Sequence, residues 1–361
     1  MKALKDIYAH RGIFKTLAED IHAVYPKADE ALFYQALVAD LDQLELKARF
    51  ERAADVCHQF FPKDYLKSLK ILYSFVKSKE SRLIYLFLPT YIAKYGQKHY
   101  DASIEAIRDM TEYSSSEEGV RTFIEMKPKC TLALMLQWTK SKNEHIRRLA
   151  SEGCRPRLPW AKKIEFLIDK PSLTWPILEA LKADPAKYVQ KSVANHINDI
   201  TKDHADWVLE RVGDWDMANA TTHWIVKHGM RTLIKRGHKG ALRLFGNAQK
   251  PQVEIIKAKW KKKVVLGGVF DLNFDIMSKS KRDQNLVIDY QMFFCKKSGV
   301  MQPKTFKLKQ CVLKPNESMN LTAKYAFKDL STRKHYSGPH AWQLRINGEL
   351  LEQYHYSVGV A

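Results

Sequence analysis

The hydrophobic period of this chain changes once, near residue 252, and that change divides what it can fold into. Before it, apolar side chains recur at three- and four-residue spacing in ALFYQALVADL, LKARFERAADVCHQF and DYLKSLKILYSFV, the pattern of helices that each bury one face. After it they alternate. Phe270, Leu272, Phe274 and Ile276 stand against Asp271, Asn273 and Asp275, and Met319, Leu321, Ala323, Tyr325 and Phe327 follow the same rule. Trp342, Leu344 and Ile346 lead into Asn347-Gly348, a pair suited to the type I′ turn of a hairpin. A pattern of one period does not settle into the other structure, so a helical part must be followed by a sheet part.

Three helical segments, EGVRTFIEM, EHIRRLASEG and KYVQKSVANHIND, each follow a β-branched residue with basic or amide side chains. Helix pairs of about 40 residues build HEAT-type solenoids, whose second helices line a groove. The expected fold is mostly α, with a HEAT-like repeat α-solenoid over residues 1–255 and an immunoglobulin-like β-sandwich over 256–361. Cys295 and Cys311 are too close in sequence to be that sandwich's inter-sheet pair.

The formal charge of +20 opposes compaction and is not needed for folding, so a polyanionic partner is the economical reading. Nucleic acid stands first and a membrane surface second, because no apolar run approaches the roughly 20 residues that span a bilayer. About half of the excess positive charge lies beyond residue 258, where Lys261, Lys262 and Lys263, Lys279 to Arg282, and Arg333 to His335 are candidate contacts. The N-terminal segment lacks the apolar core of a secretory signal, so a cytoplasmic location is expected. The five cysteines are odd in number and never form a CxxC pair, which predicts reduced thiols and neither a disulfide framework nor a zinc site. There is no GxGxxG, Walker loop, HExxH or GxSxG, so no cofactor and no metal is expected.

Residues 143–160, NEHIRRLASEGCRPRLPW, read as a place that holds an anion. With Asn143 as the cap, Glu144, Arg148 and Glu152 share one helical stripe; Gly153 can end the helix, and Pro156 and Pro159 prevent its resumption. Arg155, Arg157 and Trp160 then gather guanidinium groups and an aromatic face around one carboxylate, beside Cys154. The plainer reading is a surface helix with a Glu144/Arg148 ion pair. Two further acids sit beside basic surface. Glu117 fits a capping box with Ser114, and Asp199 shares a stripe with Asn195 and Lys191. His196, Asp199, Asp203 and His204 would be scattered by helical spacing and are not read as metal ligands.

SSEEGVR, RRLASEGCRPRLPWA and YVQKSVANHINDITKDH, with LELKARFERAA upstream, resemble the AlkC-type DNA glycosylases of the AlkC/AlkD HEAT-like repeat superfamily. Glu118-Gly119 departs from the apolar residue and alanine expected there. The resemblance implies excision of small cationic alkylated bases, chiefly 3-methyladenine, from duplex DNA without base flipping. It puts the catalytic acids on Glu117, Glu152 and Asp199, and DNA or lesion contacts on Arg148, Arg155, Arg157 and Trp160. Arg121, Arg147, Lys191 and Asn195 beside them are counted as DNA-binding. The expected partner is alkylated duplex DNA bound by a monomer. A 3-methylated purine already carries positive charge and leaves without a general acid, so the demand falls on the sugar. A carboxylate about 4 Å from an oxocarbenium-like C1′, at an effective dielectric near 20, contributes about 4 kcal/mol. Glu152 and Asp199 are expected nearest the sugar and water, with Glu117 as electrostatic support. The rival readings are a non-catalytic HEAT-repeat scaffold for nucleic acid or protein, and an adaptor for anionic lipid or acidic protein.

Overall fold

The computed structural model describes residues 10–77, 83–247, 250–329 and 334–360, which fall into two compact units. The first holds the described residues up to Asp203 together with Asp216–Gly229. The second holds His204–Trp215 and the described residues from Met230 onward.

The first unit is helical. Six of its helices position the site: α1 (Leu46–Phe60), α2 (Phe87–Tyr95), α3 (Gly119–Met126), α4 (Glu144–Glu152), α5 (Lys187–Ile200) and α6 (Ala220–Gly229). They pack in series, α1 on α2, α2 on α3, α4 on α5 and α5 on α6. Arg121 of α3 reaches across to the carbonyls of Gly153 and Arg155 just past α4. Along α4 and α5 the contacts rise together in sequence, His145 against Tyr188, Ser151 to Ser192 at 2.6 Å, then Arg155 to Asp199 at 2.8 Å. The two helices therefore run parallel, and their C-terminal ends lie side by side. In α5 every residue from Val189 to Ile200 is buried except Lys191 and Asn195, because helices cover it on two sides.

Asn143 caps α4, its side chain accepting from the His145 N–H at 2.8 Å, which satisfies one of the free donors of the first turn. Gly153 stands at the other end with φ −64°, an ordinary helical value, so a left-handed stop is not its reason for being there. Space is. A Cβ at this position would come 2.4 Å from Val120 Cγ1 and 3.0 Å from the Leu149 carbonyl, closer than packed atoms approach. Gly119 at the start of α3 is under the same constraint, with Pro89 O and Ile107 Cδ1 each 2.8 Å from a built Cβ. The glycine that departs from the expected alanine is thus the residue that lets α3 meet α2.

The second unit contains two sheets, one of order β1-β3-β6 and one of order β2-β8-β7-β4-β5. Their strands are β1 (Val253–Trp260), β2 (Lys263–Val265), β3 (Val269–Ser278), β4 (Gln284–Cys295), β5 (Met301–Leu313), β6 (Ser318–Ala326), β7 (Gly338–Ile346) and β8 (Glu349–Gly359). The alternating residues Phe270, Leu272, Phe274 and Ile276 meet Ile288, Met292, Trp342, Leu344 and Ile346 in one core, so the two sheets face each other. Asn347 and Gly348 have φ 48° and 82°, the two positive values that a type I′ hairpin turn requires. Cys295 and Cys311 lie on neighbouring strands of the same sheet and are free thiols. Helices Arg231–Arg236 and Lys239–Leu244 belong to this unit; Arg345 donates to the Lys235 carbonyl at 2.7 Å, and Gly237 abuts Gly348. Among the described residues no helix is long and apolar enough to cross a membrane.

Candidate active site

The three acids singled out by sequence meet in one alternating line of charge within the first unit. Arg148 grips Glu117 with both terminal nitrogens, at 2.8 and 3.1 Å, and lies 3.7 Å from Glu152. Arg155 then bridges Glu152 at 2.7 Å and Asp199 at 2.8 Å, and Lys202 closes the far end against Asp199 at 2.9 Å. The parallel packing of α4 and α5 brings this about, since it sets Glu152 and Asp199, the last residues but none and one of their helices, next to the same guanidinium. Three carboxylates and three cations leave the line close to neutral. The Glu152 and Asp199 side chains are 9% and 3% exposed, whereas Glu117 at one end keeps 21% and Lys202 at the other 39%, so solvent reaches the line at both ends.

Glu117 does not form the capping box with Ser114 that its spacing suggested. Helix α3 starts at Gly119, and the carboxylate takes the Ser115 hydroxyl and Arg148 instead. A two-pronged ionic partner outcompetes a single backbone N–H. Burial alone would raise the Glu117 pKa, but the Arg148 charge and the hydrogen bonds from Arg148 and Ser115 outweigh it and hold the group below its ordinary 4.5. A depressed folded value means that stability is present above the unfolded pKa and is lost as pH falls through the folded one. Glu117→Gln is therefore expected to unfold about 1–3 kcal/mol more easily at neutral pH. That gap from wild type should close below pH 4.5. Urea denaturation at a series of pH values measures it, and a gap that stays constant into acid would contradict the pairing.

The surrounding basic residues divide by what their guanidinium groups hold. Arg121 is buried and donates to the carbonyls of Gly153, Arg155 and Lys162 at 3.1, 2.7 and 2.6 Å, tying down the loop after α4. Arg147 binds Asp184 through two nitrogens, at 2.6 and 3.1 Å, and Arg157 binds Asp203 at 2.8 Å. Arg148 also lies over the Tyr188 ring, 5.0 Å from its centroid. The Glu144/Arg148 spacing does not decide the pairing of Arg148, which turns to Glu117 and Glu152. Along α5 exposure rises from buried Asp199 through half-buried Asn195 to exposed Lys191, a strip that leads outward from the acids. In the second unit Lys261 pairs with Asp271, Lys262 lies 3.7 Å over the Trp260 ring, and Lys263 is exposed. Lys279 pairs with Glu254, Lys281, Arg282 and Lys334 are exposed, His335 is buried, and Arg333 lies outside the described residues.

Trp160 has φ 66°, a left-handed conformation that costs a side-chain-bearing residue roughly 1–2 kcal/mol, and the residue is 73% exposed. It stands at the rim of a groove of about 730 Å³ whose walls include Phe50, Leu86, Ser115, Glu117 and Leu158. Apolar walls with carboxylates at one side suit a flat cationic group.

Two residues near the line are excluded from chemistry. Burial pushes the Cys154 thiol up to about 12, and the thiol is bonded to the Ala150 carbonyl, so it is no nucleophile. Burial lowers His196 to about 4; as the neutral ring it donates from Nδ1 to the Ser151 carbonyl and accepts at Nε2 from Thr174, which occupies both nitrogens. Among the described residues no three His, Cys, Asp or Glu are grouped to hold a metal ion. Sequence reasoning missed Ser115, Lys202 and Tyr188. Lys202 lies at i+3 from Asp199 and Tyr188 eleven residues before it, both on the Asp199 face, a helical-wheel signal that was available.

The model of the DNA alkylation repair enzyme family matches residues 85–233, and that of the C-terminal Ig-like domain of the uncharacterised protein YhaZ matches residues 254–359. The uncharacterised protein YhaZ of Bacillus subtilis (strain 168) is 38% identical over 361 residues, 99% of this chain and 100% of that protein. Among solved structures, the alkylpurine DNA glycosylase AlkC of Pseudomonas fluorescens, bound to DNA containing an abasic site analog, is 37% identical. It superposes with a TM-score of 0.95, covering 99% of each chain. With the acidic line spanning the first matched region, the strand unit matching the second and full-length identity joining them, the chain belongs to the AlkC-type family of DNA alkylation repair proteins.

Proposed function

We propose that this protein is a DNA glycosylase that hydrolyses the N-glycosidic bond of small cationic alkylated bases, chiefly 3-methyladenine, in duplex DNA without flipping the base. Residues 1–255 are the HEAT-like, DNA-binding and catalytic part, and 256–361 a second DNA contact, in a monomer. One observation carries the reading: Glu152 and Asp199, from different helices, share the Arg155 guanidinium. One guanidinium thereby holds two carboxylates side by side, close enough to face one deoxyribose.

In the proposed reaction the C1′–N bond breaks and its electron pair leaves with the base, cancelling the base's positive charge. Positive charge builds on C1′ and O4′ and is met by Asp199 and Glu152. Water adds to C1′ and gives its proton to one of them. Glu117, at one end of the line, holds Arg148 in place and supports the charge. Trp160, Lys191 and Asn195 contact the DNA near the lesion, and Lys262 and Lys263 contact it from the second unit. Arg121, Arg147 and Arg157 act by fixing the backbone on which these residues stand, and Arg148 and Arg155 by framing the acids.

The experiment is incubation with methylated duplex DNA and chromatography of the released bases. We expect 3-methyladenine first among them. Retention of every base over hours would leave the scaffold reading. Duplex affinity should fall steeply with salt, about 40-fold between 50 and 200 mM if three phosphates are neutralised. An affinity unchanged by salt would remove the electrostatic contribution.

A further inference from the structure

We propose that Lys47 is a positioning residue that aims the Trp160 indole across the groove, acting on excision through that ring and making no DNA contact of its own. The proposal rests on the glycosylase reading, and its test has one arm that does not.

Lys47 lies in the first turn of α1, far in sequence from both groups it holds. Its ammonium donates at once to the Glu118 carboxylate and to the backbone carbonyl of Trp160. One side chain thus ties α1 to the turn before α3 and to the loop after α4, the three segments that wall the groove beside Glu117. Trp160 needs such a tie. A tryptophan at φ 66° persists only where its surroundings over-determine the backbone, and this one, 73% exposed, is not fixed by burial. What the protein can fix is the direction in which the side chain leaves the backbone, and that is set by the peptide on which it stands. Arg121 fixes that loop on either side, at Gly153, Arg155 and Lys162, and Ala161 N–H closes a turn on the Leu158 carbonyl at 3.3 Å. Lys47 adds the Trp160 carbonyl to these ties.

Glu118 sets the lysine's aim. It is one of the two residues at which this chain departs from the pattern expected of relatives, and its charge keeps the ammonium at the rim. The pair is about half exposed, so it adds little to overall stability and its removal leaves a folded protein.

The test uses the full chain with Lys47→Met, Lys47→Arg, Trp160→Ala and the Lys47→Met/Trp160→Ala pair, in steady-state excision over a range of methylated-duplex concentrations. Lys47→Met is expected to lower kcat about tenfold with KM and melting temperature unchanged, and Lys47→Arg to restore most of it. In the Trp160→Ala background Lys47→Met should cost nothing more, because the two act as one unit. An equal loss in both backgrounds, a rise in KM with a smaller salt slope, or no loss at all overturns the proposal. The second arm needs no activity: in protein labelled with 5-fluorotryptophan, Lys47→Met should shift or split the fluorine resonance that Trp160→Phe identifies and leave the other seven in place. An unmoved Trp160 resonance overturns the latch, whereas a wild-type protein that releases no base while the resonance moves would count against the glycosylase reading alone.

Discussion

Asp199→Asn is expected to lower the single-turnover rate of base release about 10²- to 10³-fold and to leave duplex affinity within about twofold. The range comes from the charge line. A lone carboxylate about 4 Å from the developing cation contributes about 4 kcal/mol, nearly a thousandfold. Asp199 is not alone, since Arg155 sits 2.8 Å beyond it, and a guanidinium about 8 Å from the sugar opposes by about 2 kcal/mol. That opposition is the same in wild type and variant, so the substitution removes the carboxylate's own contribution and nearly a thousandfold is the upper end of the expected loss. The attacking water also loses its acceptor. Asparagine keeps an oxygen for the Arg155 N–H, so the fold should hold and the effect should lie in the chemical step. Chromatography of released 3-methyladenine against time measures it, beside a binding titration on the same duplex. Full retention of the rate would remove Asp199 from the reaction, and a loss confined to binding would make it a DNA-positioning group.

How much of this was legible in the sequence can be told from particular residues. The change from helix to sheet was plain because Phe270, Leu272, Phe274 and Ile276 alternate in a core between two sheets, and such alternation has no helical equivalent. Asn347-Gly348 and the Asn143 cap were legible because both depend on local backbone chemistry. The pairing of the arginines was not. Glu144, Arg148 and Glu152 share a stripe, yet the strongest partner of Arg148 is Glu117, thirty-one residues away. Local spacing lists possible partners, and tertiary packing selects among them. The same limit hid Lys47, whose two acceptors lie 71 and 113 residues further on. The helix does end at Gly153, as its residue type suggests, but the need for glycine there comes from the Val120 side chain pressed against it, which no one-dimensional pattern carries.

Arg155→Met is expected to be the most destabilising change in the site, costing about 3–5 kcal/mol and about 10 °C in melting temperature, and to abolish base release. Methionine replaces the volume of the arginine stem, so the cost is not one of packing. It comes from leaving two carboxylates, 9% and 3% exposed, facing each other without the cation that bridges them. If that is the cause, removing one of the carboxylates as well should return stability. Arg155→Met combined with Asp199→Asn is expected to recover about half of the loss, although each substitution alone destabilises. Base release is expected to stay absent in the combined variant, because position 199 then has no charge and Glu152 lacks the cation that aligned it. The recovery separates an electrostatic bridge from a merely structural arginine: a packing role predicts losses that add, and additive losses in denaturant would mean that Arg155 does not hold Glu152 and Asp199 together through charge.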